Sequence, residues 1–139
     1  MNRSGYTEEG DNWSEVRWRG AVKSALRGKR GQAFLRELAD ALDAMPDKRL
    51  IDGAAHRDGA YCALGVLGAK RGVDLDRLNR LMDDETLDEV ADAFQIPMAL
   101  ACEIMYTNDW CPILLHWSQE TADRRRWHRV REWVGEVLT

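Results

Sequence analysis

The segment running from Phe34 to Pro46 constrains the fold of this chain most. Phe34, Leu35, Leu38, Leu42 and Met45 recur at helical spacing, with Arg36, Glu37, Asp40 and Asp43 on the other side. That pattern belongs to an amphipathic helix whose apolar face must be covered by other elements. Pro46 stops it, because proline disfavours helical geometry in the residue before it.

Similar stripes recur along the chain. Asn12 followed by Glu15 resembles a capping box and opens a helix on which Trp18, Ala21, Val22, Ala25 and Leu26 share a side. Ala63–Arg71 reads as a helix closed by Gly72, a natural left-handed C-cap. Gly65 and Gly68 inside it each cost about 1 kcal/mol relative to alanine, which points to close approach of another backbone. Asp76–Met82 forms a short helix or turn. Thr86 with Glu89 caps a helix that turns Leu87, Val90, Ala91 and Phe94 inward. Gln95-Ile96-Pro97 breaks the chain before a helix over Met98–Tyr106, which ends in a polar turn at Thr107-Asn108-Asp109. The last helix starts near Thr121 and buries Trp127, Val130, Val134, Val137 and Leu138. Leu50-Ile51-Asp52 and Ala60-Tyr61-Cys62 are candidate short strands round an Asp58-Gly59 turn. The fold class is therefore mainly α, a compact helical domain with a short β-hairpin near residues 49–62. Residues 1–11 are small and polar and read as a disordered tail, leaving 12–139 as one helical domain.

At 139 residues the chain can bury a sizeable core, and its 45% hydrophobic and 32% charged residues are ordinary for a globular protein. It contains no apolar run long enough to span a membrane and no signal-peptide pattern, so a cytoplasmic location is expected. Cys62, Cys102 and Cys111 form no CxxC pair and read as reduced thiols. The net charge of −4 argues against generic nucleic-acid binding.

Charge is unevenly spread, however. Arg17 to Gln32, RWRGAVKSALRGKRGQ, holds six of the twenty basic residues. Arg19, Lys23, Arg27 and Arg30 share one helical side, while Lys29 would fall on the apolar side of the same helix. The helix should therefore break near Gly28, and a second should begin near Gly31. Backbone amides at a helix N-terminus lack acceptors, the helix dipole is positive there, and glycine admits a phosphate close to the backbone. Arg19, Lys23, Arg27, Lys29 and Arg30, with the Gly28 and Gly31 backbone and Trp18 as a stacking ring, form the candidate ligand-binding set. The alternative for these residues is a solvated basic face with a flexible joint. No GxxxxGK[ST] is present, so nucleotide hydrolysis is not implied.

Leu87–Tyr106 has the apolar spacing of a helix-turn-helix, with Gln95 in place of the usual turn glycine. Its second helix would expose Pro97, Met98, Ala99, Cys102 and Glu103, which cannot make bidentate contacts to base edges, and the helix before it is acidic. A DNA-binding regulator is thus the lesser alternative. His56, His116 and His128 lack ligand spacing, no nucleophile motif occurs, and neither metal nor cofactor nor catalysis is expected. The eight acidic residues between positions 73 and 93 could imitate nucleic acid or remain a solvated face. The Trp-rich stretch Trp110–Trp117 suggests a homodimer.

Arg27-Gly28-Lys29-Arg30-Gly31-Gln32, the following FLRELADALDAMP helix, Cys62-Ala63-Leu64-Gly65 and the Arg/Trp-rich C-terminal helix resemble a family of small proteins of proteobacterial phages and prophages. The resemblance covers most of residues 12–134. It implies a phage setting and a host-cell location but brings no activity with it. Small non-catalytic phage proteins often act against host defence. The expectation is therefore a binding protein that captures a phosphate-bearing small molecule, such as a nucleotide signal of anti-phage defence. The alternative is a counter-defence inhibitor, anti-CRISPR-like, that binds a host defence protein.

Overall fold

The computed structural model describes residues 12–110 and 118–139, with side chains from Glu15 onward. The tail expected over residues 1–11 and segment 111–117, with Cys111, His116 and Trp117, lie outside the described residues. The side chain of Trp13 does too. Within them the chain is mainly α: α1 Asn12–Arg27, α2 Lys29–Asp43, α3 Ala63–Arg71, α4 Leu75–Asp83, α5 Leu87–Phe94, α6 Met98–Asp109 and α7 Gln119–Val137. The only strands among the described residues, β1 His56–Arg57 and β2 Ala60–Tyr61, pair antiparallel with His56 opposite Tyr61.

The chain breaks where the misplaced Lys29 says it must. Gly28 is extended (φ −65°, ψ 156°) between two helical segments. The second helix starts at Lys29, ahead of the expected Gly31, so Gly31 lies in its first turn. Phe34, Leu35, Leu38 and Leu42 are buried as their spacing requires, and Met45 is half-buried. Helix α3 ends at Gly72, whose positive φ of 76° lets Val73 donate back to Gly68 O at 2.8 Å. Thr86 does not complete its expected capping box. Its hydroxyl donates to Leu81 O at 3.0 Å, closing the C-terminal turn of α4, and the inward residues of α5 are nevertheless buried as expected.

Two expectations fail for the same physical reason. Thr107 and Asn108 form no polar turn; α6 continues through Asp109, and both side chains are buried. Likewise Ala99, Cys102 and Glu103, expected on an exposed helix face, are buried. Helix α6 packs against α1, α3, α5 and α7, so almost no side of it is left for solvent. A helix covered all round shows little amphipathic pattern, which is why its faces could not be sorted from spacing alone.

The hairpin turns at Asp58-Gly59, both at positive φ as a tight two-residue turn requires. Its first strand is His56–Arg57 rather than residues 50–52. Leu50 and Ile51 form a buried irregular segment whose backbone groups are met one by one. Leu50 N donates to Asp123 O (3.0 Å), Ile51 N to Tyr61 O (2.9 Å), and Leu50 O accepts from Arg126 (2.9 Å). Asn108, 1% exposed, donates to Ile51 O and accepts from Ala63 N, each at 2.9 Å. Asn79 clamps the hairpin from α4, accepting from Ala55 N (2.7 Å) and donating to His56 O (3.0 Å).

Candidate functional site

Of the six basic residues between Arg17 and Arg30, Arg27, Lys29 and Arg30 flank the elbow between α1 and α2, Lys23 lies one turn before it, and Arg17 and Arg19 lie farther up α1. The inner side of the elbow is closed by packing. A Cβ on Gly31 would overlap the carbonyl oxygen of Ala25, so the missing side chain admits the last turn of α1. Gln32 is 5% exposed and fully engaged: its amide donates to Leu26 O (2.6 Å) and Val137 O (3.0 Å). Its carbonyl oxygen accepts from Thr139 N (2.9 Å) and the Thr139 hydroxyl (3.1 Å). The end of α7 is thereby tied to the elbow.

The outer side carries the charge. Lys23, Arg27, Gly28, Lys29 and Arg30 are all exposed, and none of the four cations has a carboxylate partner among the described residues. The first α2 bond is Gln32 N to Gly28 O at 2.9 Å, and Gly28 supplies no side-chain cap. The amides of Lys29 and Arg30 therefore stand at the positive end of the α2 dipole. Arg19 is on the same helix but reaches Glu15 at 2.7 Å.

Besides Arg19, two further members of the expected ligand set are engaged elsewhere. Trp18 is 6% exposed within the core. Gly31 is buried against Ala25, so its close contact is with protein backbone. The structure thus leaves Lys23, Arg27, Gly28, Lys29 and Arg30 exposed around the α1–α2 break and buries Trp18 and Gly31.

Several basic residues elsewhere contrast with this surface, although exposed Arg57, Lys70, Arg77 and Arg80 also have no carboxylate partner among the described residues. Arg131 pairs with Asp43 at 2.7 Å and Arg71 with Glu37, and each guanidinium holds its carboxylate below the usual range through that hydrogen bond. Arg126, almost fully buried, pairs with Asp123 at 2.8 Å. Arg129 donates to the last carbonyls of α6, Thr107 O and Asn108 O, and stacks over the half-exposed Trp110. The basic character of α7 is largely spent inside the fold.

A cleft of about 230 Å³ lies near the ends of α4 and α6, with Asp83, Glu85 and Asp109 among its lining. That is below the roughly 300–1,000 Å³ of pockets for drug-sized ligands, and its carboxylates would repel a phosphate. Cys62 is among its lining residues, and burial pushes its thiol up to about 12; Cys102 is pushed up to about 11. Both remain protonated and weakly nucleophilic at neutral pH. Among the described residues no group of three histidine, cysteine or carboxylate side chains forms a metal-ligating cluster, and no helix is long and apolar enough to cross a membrane. Compared with protein-family models, with curated proteins and with solved structures, the chain matches none.

Proposed function

We propose that this is a non-catalytic binding protein whose basic elbow captures a phosphate-bearing ligand through Lys23, Arg27, Lys29, Arg30 and the first amides of α2. One observation carries the proposal: in an acidic protein whose other arginines are mostly paired or capping carbonyls, these four exposed cations have no carboxylate partner among the described residues. Clustered like charges repel one another and contribute nothing to folding, whereas an anion with several oxygens would offset that repulsion. The resemblance to phage proteins supports a setting in the host cytoplasm. There, sequestration of a nucleotide defence signal, by a homodimer, would require binding alone.

Calorimetric titration with pyrophosphate, cyclic nucleotides and ADP-ribose tests this. Binding should appear with at least one, weaken with salt, and fall at least about tenfold in Lys29→Glu/Arg30→Glu, since each charge-assisted hydrogen bond contributes roughly 1.5–3 kcal/mol. No heat with any of them, or affinity unchanged by the charge reversal, overturns it. A second reading, docking on an acidic host defence protein, is favoured by the cations standing on exposed surface outside the described cleft. A stoichiometric protein complex lost in the same variant would select it.

A further inference from the structure

The acidic cleft is chemically the reverse of the elbow. Its apolar lining includes Leu64, Ile104, Met82 and Met105, and its acidic groups are Asp83, Glu85 and Asp109. Among the described residues no lysine, arginine or histidine lines it. Asp83 and Glu85 are exposed and have no cationic partner among the described residues, unlike Glu37, Asp43 and Asp123. Asp109 is positioned by Asn108, which donates to it at 2.9 Å.

This combination suits one kind of occupant. A long cationic side chain buries its methylene stem on apolar surface and keeps its charged head among polar partners. Methionine adapts to such a stem because it is unbranched and polarizable. The volume of about 230 Å³ has room for one such side chain and is small for a nucleotide. Asp84, which follows α4, and Asp88, Glu89 and Asp92 on α5 are exposed as well, so acidic side chains are not confined to the cleft lining. We infer that the cleft docks a lysine or arginine side chain from a basic segment of a partner protein, with neighbouring cations of that segment lying along α5.

The test uses the full chain with ¹³C-methyl-labelled methionine, titrated with hexalysine and, separately, with spermidine. Hexalysine should shift the Met82 and Met105 methyl signals and leave Met45 and Met98 in place. Asp83→Asn/Glu85→Gln should weaken it about tenfold, while Asp88→Asn/Glu89→Gln, outside the cleft, should weaken it about twofold, as a rim charge does. Unmoved Met82 and Met105 signals, or equal losses in the two variants, would overturn the inference in favour of diffuse charge attraction. Spermidine binding as tightly as hexalysine with the same shifts would overturn it in favour of a small-amine site.

Discussion

At Gly31 the last carbonyls of α1 press on the first turn of α2; at Gly65 the carbonyl of Ala55 presses on the first turn of α3. In both places a Cβ would overlap a backbone oxygen. The surroundings differ. Around Gly65 everything is enclosed: Cys62, Ala63, Leu64 and Ala55 are buried, and neutral groups from Asn79, Asn108 and Cys62 meet the nearby amides. Around Gly31 one side is sealed by Gln32 while the other exposes Lys29 and Arg30. A glycine that admits a backbone is therefore no mark of a ligand site in itself. The distinguishing feature is whether the charged neighbours have partners.

Substitution at the two glycines should separate them. Gly65→Ala should be the most damaging, about 3 kcal/mol or more, because overpacking there cannot relax. Ala55 is fixed by donating to Asn79 and accepting from Cys62 N. Urea denaturation midpoints measure the loss. Asn108→Ala should follow at about 2–3 kcal/mol, since it leaves Ile51 O and Ala63 N buried without partners. Gly31→Ala should cost somewhat less, about 2 kcal/mol: its Cβ also meets backbone and α1 is anchored by buried Trp18 and Ala25, but most other described side chains of α1 are exposed, so its last turn has fewer neighbours to displace. Equal losses at Gly31 and Gly65 would show an elbow as rigid as the core and break the comparison.

The smallest effect is expected from acid. Glu37 and Asp43 have lowered folded-state values, so their pairs stabilise the protein above the ordinary carboxylate range. That contribution fades as pH falls through the lowered values. Both side chains are about half exposed, so each pair contributes less than about 1 kcal/mol. Glu37→Gln/Asp43→Asn should flatten the acid limb of the stability profile by a comparable amount.

Much of the helical plan was legible because spacing, proline and C-cap glycine are local signals. The stripe of α2, the break at Gly28, the Gly72 cap and the close approach at Gly65 all follow from them. What escaped was long-range. Asn108 reads as a turn residue because its neighbours in sequence are polar; only the fold brings the orphan groups of Ile51 and Ala63 to it. Leu50 and Ile51 read as a strand because they are apolar, yet their amides are met by α7 and β2 rather than by a neighbouring strand's ladder. At the elbow the cations were legible as a group. That the occupant of Gly31 is Ala25 depends on how α1 folds back, which no spacing records.

Gln32 has a consequence beyond holding the elbow together. Its bonds to Val137 and Thr139 span 105 and 107 positions. Closing so long a loop costs only about 0.6 kcal/mol more per doubling of its length, yet contacts this distant slow folding because the intervening chain must be ordered first. The inner side of the elbow is thus completed by Val137 and Thr139, and the packing beneath the exposed cations depends on the docking of α7.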